Sequence, residues 1–238
     1  MILSPAKVNL SLKVKTRLRN GYHTLSSHIV FINLFDKIFI KRSSKDGLNI
    51  IGPFENLLSF KDNDNLISKT LEFCRKIRLT NKKFNVTLEK NIPVSAGLGG
   101  GSSNSASIIR YFLNAKKIKD VEKIIQASKS LGADVPSCIY ARPIFMEGIG
   151  EKISFVDINK NLNIGIVLIN PYIGLPTGKV FSQWLPENKI RSEKKFLIVN
   201  DLQDFLKINL DQGFLEGLLS KIPFPPLVQP YHKQLLKY

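Results

Sequence analysis

The stretch from Pro93 to Ser107 restricts this chain more than any other, because few backbones can carry it. Gly97, Gly99, Gly100 and Gly101 fall within five positions, so the chain there can turn tightly and approach a ligand with no Cβ in the way. Ser102, Ser103, Asn104 and Ser105 follow, the residue types that start helices. Ala106, Ile109 and Leu113 then recur at helical spacing and give the helix an apolar face. A loop that runs into a helix N-terminus presents free backbone N–H groups and the positive end of the helix dipole, a seat for phosphate. An ordinary flexible turn is the alternative. Four glycines and five serines in this span, placed directly before a helix, favour a nucleotide-phosphate loop.

Three familiar loops of that kind do not fit. The Walker loop needs Gly-x-x-x-x-Gly-Lys-Ser/Thr, and no lysine lies between Pro93 and Ser107. Gly97-Leu98-Gly99 opens the Gly-x-Gly-x-x-Gly spacing of dinucleotide folds, but Ser102 stands where the third glycine belongs. The protein kinase loop requires later His-Arg-Asp and Asp-Phe-Gly motifs, and neither occurs.

Composition sets the remaining bounds. The 238 residues suffice for one large domain or two modest ones. Apolar residues at 43% and charged residues at 23% match a soluble globular chain. Cys74 and Cys138 lack CxxC spacing and cannot make a metal site alone, so a reducing cytoplasm is expected. The first residues lack the basic segment and long apolar core of a signal peptide, and no apolar run reaches membrane-spanning length. Thirty-five basic against nineteen acidic residues leave a charge of +16, which raises nucleic acid as a partner. The lysines are dispersed, as in Lys82-Lys83, Lys116-Lys117 and Lys194-Lys195, in a chain also rich in Ile and Asn. No dedicated nucleic-acid site is therefore expected; an anionic small substrate gains from the same field.

Val8, Leu10, Leu12 and Val14 alternate with Lys7, Asn9, Ser11 and Lys13, which predicts a half-buried strand presenting polar side chains outward. Asn20-Gly21 marks a turn, a strand-like stretch runs from Ile29 to Ile40, and residues 42–65 read as polar loop. A helix is expected from Asn65, with Ile67, Leu71, Cys74 and Ile77 on one side. Phe84, Val86 and Leu88 form a strand leading into the glycine loop. A further helix is expected from Asp120, as its cap, to Gly132, and Pro136 suits the first turn of another. Residues 164–169 read as a buried strand. The division into lobes is expected at 1–158 and 159–238.

Three motifs together resemble the GHMP kinases: Pro5-Ala6-Lys7-Val8-Asn9-Leu10 with Gly21-Tyr22-His23, then the loop from Pro93 to Asn104, then Gly132-Ala133-Asp134-Val135-Pro136. The similarity spans residues 2–182, and within the family the pattern looks most like the members of the non-mevalonate isoprenoid pathway. The resemblance implies an α+β fold of two lobes, the first ribosomal protein S5 domain 2-like and the second ferredoxin-like, with substrates between them.

It also implies ATP-dependent phosphorylation, with Mg2+, of the 2-hydroxyl of 4-diphosphocytidyl-2-C-methyl-D-erythritol. Phosphoryl transfer asks the protein mainly to align an alcohol with the γ-phosphate and to balance charge. By the resemblance Asp134 is the general base, and Lys7 holds it ionised and orients the hydroxyl. Read alone, Asp134 could instead cap a helix and Lys7 could be a solvated strand lysine. ATP is expected along Pro93, Val94, Ser95, Ala96, Gly97, Leu98, Gly99, Gly100, Gly101, Ser102, Ser103 and Asn104, with Asn65 and Lys90 toward the adenine. The Ser103 hydroxyl is within the family's reach of Mg2+, but no side chain is assigned as a metal ligand. Asn9, Tyr22, His23 and Phe181 are expected on the cytidyl substrate, Tyr22 and Phe181 by stacking; separately, each aromatic would pass for packing.

The pattern departs from the family at its end. A late Gly/Ser-rich loop of the Ser-Gly-Ser-Gly type is missing; after Gly178 only Gly213 and Gly217 remain. The second lobe is accordingly expected to be incomplete. Alternatives stay open: a GHMP kinase for another small alcohol, a catalytically silent nucleotide binder, or a nucleic-acid module.

Overall fold

β-branched and aromatic residues crowd the chain between His23 and Ser43, and a strand is the conformation in which such side chains pack best. In a computed structural model of the protein, which describes residues 1–19, 21, 23–58, 65–118, 121–157, 166 and 168, this segment is one 21-residue strand, β2 (His23–Ser43). It organises a six-stranded sheet. The strand β1 (Ile2–Arg17) pairs antiparallel along one edge of β2. The other edge is shared end to end. The strand β4 (Lys83–Glu89) takes residues 37–43 of β2, and β5 (Ile144–Gly148) takes residues 25–29. Outside these lie β3 (Gly47–Ile51), parallel to β4, and β6 (Lys152–Phe155), antiparallel to β5.

Two expectations about strands need correction. The segment 42–65, read as polar loop, contains β3, because Leu48 and Ile50 turn inward while Gly47, Asn49 and Ile51 stay exposed. In β1 the apolar face is only partly covered: Leu12 is 43% exposed, whereas Ser4 and Ala6 are fully buried. The register with β2 shifts between Pro5 and Ala6, from Pro5 opposite Phe35 to Ala6 opposite Ile32. Proline has no N–H for the ladder, and a bulge re-aims the residues beyond it. Lys7 is the next residue.

Four helices accompany the sheet among the described residues: α1 (Leu66–Lys76), α2 (Gly100–Ala115), α3 (Glu122–Ala127) and α4 (Val135–Tyr140). Asn65 caps α1, its Oδ1 accepting from the Ile67 N–H at 2.8 Å. The apolar stripe of α1 (Ile67, Leu71, Cys74) meets Ala106, Ile108, Ile109 and Leu113 of α2 and Ile38, Val86 and Leu88 of the sheet in one core. Each such side chain contributes roughly 1.5–3 kcal/mol by leaving water. A polar tie runs through this packing, where Thr70 Oγ1 lies 2.7 Å from both the Leu66 carbonyl and Ser105 Oγ.

The helix boundaries also differ from expectation. Ser102 to Ser105 do not start α2; it begins at Gly100 after a left-handed Gly99 (φ 62°), and the serines lie inside it. Ser103 and Ser105 are fully buried, so they serve close packing rather than capping. The helix expected from Asp120 to Gly132 is shorter, ending at Ala127 in a 3₁₀ turn (Ser128–Ser130), and its cap position is Val121; Asp120 lies outside the described residues. Of the strand expected at 164–169, Ile166 and Leu168 are described; they are 40% and 41% exposed and belong to no strand. Apart from these two, the lobe expected over 159–238 lies outside the described residues. Among the described residues no helix is long and apolar enough to cross a membrane.

Candidate active site

β1 brings Lys7 to the glycine loop through its backbone, the Lys7 N–H donating to the Leu98 carbonyl at 2.8 Å. The side chain then passes beneath the loop. A Cβ on Gly99 would lie 3.2 Å from Lys7 Cβ and 3.3 Å from Lys7 Cε, so glycine is needed there both for the close approach and for the left-handed backbone. The ammonium ends on Asp134, Nζ to Oδ2 at 3.0 Å, with the lysine side chain 6% exposed and the aspartate 39%. A buried cation thus holds a carboxylate whose far side faces solvent.

Asp134 stands at the cap position of α4 but makes no capping bond with its side chain. The carboxylate is turned onto Lys7 instead of onto its own helix, so the side chain does not serve as a cap. Gly132 keeps this turn against the loop's helix, since a Cβ there would sit 3.7 Å from Ser102 Oγ. Arg110 ties the other end of α4 down, donating to the Cys138 carbonyl at 2.6 Å and to Ser107 Oγ at 2.7 Å. The Cys138 carbonyl, in the last turn of the helix, has no partner within it. Burial lowers the Arg110 pKa from its ordinary value. Burial likewise pushes the Cys138 thiol up to about 12, with the Asp134 carboxylate adding to the rise.

The loop itself runs from Pro93 through Val94, Ser95, Ala96, Gly97 and Leu98 to Gly99, with Ser95 (φ 56°) and Gly97 (φ 73°) left-handed. The first helical bond of α2 joins the Ser103 N–H to the Gly99 carbonyl at 2.8 Å, so the N–H groups of Gly100, Gly101 and Ser102 precede the intrahelical ladder. Open space lies over Gly97, within 4 Å of which a Cβ would meet nothing. One side of the loop is therefore packed on lysine and the other is open, an arrangement that suits an anion.

The remaining candidates lie in several places. Asn104 and Lys90 are buried below the loop, 2% and 3% exposed. Both bond Asp36 Oδ2, from Asn104 Nδ2 at 2.9 Å and Lys90 Nζ at 2.7 Å. Burial lowers the Lys90 pKa from its ordinary value, and the Asp36 carboxylate opposes that fall. The Ser103 hydroxyl is buried and committed, donating to the Pro5 carbonyl at 2.6 Å and accepting from Ser4 at 3.1 Å. Asn65 flanks the loop through its neighbour, since Leu66 Cδ2 lies 3.6 Å from where a Gly101 Cβ would be. Along β1, Asn9 follows Lys7 on the same face and donates to Ser27 Oγ at 2.6 Å. His23 opens β2 opposite Arg17 and is half-buried. Tyr22 and Phe181 lie outside the described residues. Sequence reasoning missed Asp36 and Arg110, because neither stands in a motif; each is recognised by what it bonds across the fold.

Comparison with known proteins places the chain in a family. Residues 65–142, which include the loop, α2 and Asp134, match the GHMP kinases N terminal domain. A 4-diphosphocytidyl-2-C-methyl-D-erythritol kinase of Chelativorans sp. (strain BNC1) is 35% identical over 181 residues, 76% of this chain and 61% of the relative. One from Persephonella marina is 32% identical over 219 residues, 92% of this chain and 76% of the relative. The chain spans about three fifths of the first of these relatives, 61% of its length. Among solved structures, a 4-(cytidine 5'-diphospho)-2C-methyl-D-erythritol kinase is similar with a TM-score of 0.53 and 29% identity, over 68% of this chain and 60% of that one. Identity at this level over most of the chain, on a fold that joins Lys7, the glycine loop and Asp134, shows that the chain belongs to the GHMP kinase family.

Proposed function

We propose that the chain transfers the γ-phosphoryl group of ATP to the 2-hydroxyl of 4-diphosphocytidyl-2-C-methyl-D-erythritol. The observation that carries this reading is the Lys7–Asp134 pair, Nζ to Oδ2 at 3.0 Å, built against the open glycine loop. The names of the relatives supply the substrate.

In this reading the loop N–H groups and the start of α2 hold the ATP phosphates. Asp134 accepts the proton of the 2-hydroxyl as the oxygen bonds to the γ-phosphorus, and the bond from that phosphorus to the bridging oxygen breaks to release ADP. Lys7 orients the carboxylate and balances the charge that gathers around the transferred group. Asn65 flanks the adenine side of the loop, and Lys90, sealed on Asp36, supports that side from beneath without touching the nucleotide. Asn9, Tyr22, His23 and Phe181 hold the cytidyl substrate. Magnesium arrives with ATP. Phosphate oxygens and water would be its ligands there, as they commonly are for this ion. The two-lobe division at 1–158 and 159–238 and a cytoplasmic setting complete the reading.

ADP release by the 238-residue chain with Mg-ATP and the cytidyl substrate tests it, beside Asp134→Asn. General-base loss lowers kcat by about 10²–10⁴ while ATP affinity holds. Substrate-dependent turnover in the parent alone supports the proposal; equal turnover in both chains removes Asp134 from the chemistry. Turnover with an alcohol lacking the cytidyl group, and none with it, transfers the activity to another substrate.

A further inference from the structure

Asp36 is the buried carboxylate of the described residues, fully enclosed, and the phosphoryl transfer proposed above does not use it. Its four bonds divide by oxygen. Oδ1 accepts the backbone N–H groups of Asn91 and Ile92 at 2.8 and 2.7 Å. Oδ2 accepts Lys90 Nζ at 2.7 Å and Asn104 Nδ2 at 2.9 Å. Lys90 Nζ also donates to the Ile92 carbonyl at 2.5 Å. The first three partners stand where the chain leaves β4, immediately before the loop; Asn104 stands in α2, immediately after it.

One carboxylate therefore grips both ends of the glycine loop. Taking a charge out of water is costly and is tolerated only when bonds replace the water. Here they do so by joining the two segments that flank the loop. The buried ammonium lies directly under the first turn of α2, where a Cβ on Gly100 would come within 3.1 Å of Lys90 Nζ. From this clamp we infer that Asp36, through Lys90 and Asn104, is a positioning residue for the ATP phosphates. It fixes the spread of the loop N–H groups before ATP arrives, so ATP binds without the cost of ordering them. The inference rests on the kinase reading above and adds a residue to it. It makes a specific demand: loosening the clamp affects ATP and spares the cytidyl substrate, whose described candidates, Asn9 on β1 and His23 at the start of β2, lie off the loop.

The test measures ATP and cytidine diphosphate binding by titration calorimetry, with thermal melting of each chain as the check on folding. Asp36→Asn keeps the shape and one acceptor for the Asn91 and Ile92 N–H groups, but turns an amide N–H₂ toward Lys90 and Asn104. The pair Asp36→Asn with Lys90→Met removes both buried charges and stays testable if the single variant unfolds. In the folded variants ATP affinity falls about tenfold or more while cytidine diphosphate affinity changes less than about twofold, and the KM for ATP rises more than kcat falls. ATP affinity equal to the parent's in a folded variant overturns the inference, and so does an equal loss for both ligands, which is what general loosening produces. A parent chain that binds no ATP overturns the kinase reading and this inference with it.

Discussion

At the scale of single residues, the fold sets apart side chains of one type by where it buries them. Asp134 and Asp36 both hold a lysine, at 3.0 and 2.7 Å. Asp134 keeps an open side and can meet a substrate; Asp36 is sealed and can only hold structure. The cysteines show the same control by solvent. Burial raises the thiols of Cys74 and Cys138 from 9.0 to about 12, so neither forms a reactive thiolate near neutrality. Iodoacetamide at pH 8 is expected to leave both unmodified in the native chain and to alkylate both in urea; rapid native labelling of either would contradict the burial. Between pH 9 and about 12 the unfolded chain releases these protons while the folded one retains them. The folded state then binds more protons, so stability falls as pH rises through that window.

At the scale of elements, α2 carries the candidate site at its first turn and the core along the rest of its length. Its start depends on Gly99, which is left-handed (φ 62°) and packed on Lys7. Gly99→Ala is expected to cost roughly 1–2 kcal/mol from the backbone conformation alone, read as a lower denaturant midpoint. It also displaces Lys7 and with it Asp134, so turnover falls more than stability explains. A variant with parent stability and parent kcat would show that this contact does not matter. The four loop glycines stand in a recognisable local pattern, whereas Lys7 and Asp134 were singled out only by the family resemblance. The first residue of α2 was not legible from the chain: serine and asparagine usually cap helices, but here the tight packing of Ser103 and Ser105 against Pro5 and Thr70 claims them.

At the scale of the molecule, a charge of +16 and two anionic substrates in the proposed reaction make ionic strength a test. Attraction between a basic protein and a phosphate ligand is screened over about 10 Å at 0.1 M salt. Raising potassium chloride from 50 to 500 mM, concentrations that take the screening length from about 14 to 4 Å, is expected to raise KM for both substrates severalfold. kcat should move much less, because Lys7 and Asp134 are in contact and partly shielded. Salt-independent KM values would mean that the charge is spread too evenly to guide a substrate.

The helix from Asn65 and the strand from Phe84 to Leu88 followed from residues close together in the chain, since periodicity and caps act over a turn or two of backbone, whereas the α+β class came with the family resemblance. β3 went unread because its signal is only two inward side chains, Leu48 and Ile50, and the exposed Ile51 blurs their alternation. Contacts over long separations had no such signal. Lys7 meets Asp134 across 127 positions, and Asp36 meets Asn104 across 68. Whether Asp134 caps a helix or faces a substrate, and whether Lys90 touches solvent or lies sealed on Asp36, depends on which segments pack together. That is set by the burial of one shared core against the entropy of the chain, a property of the whole fold that no local stretch carries.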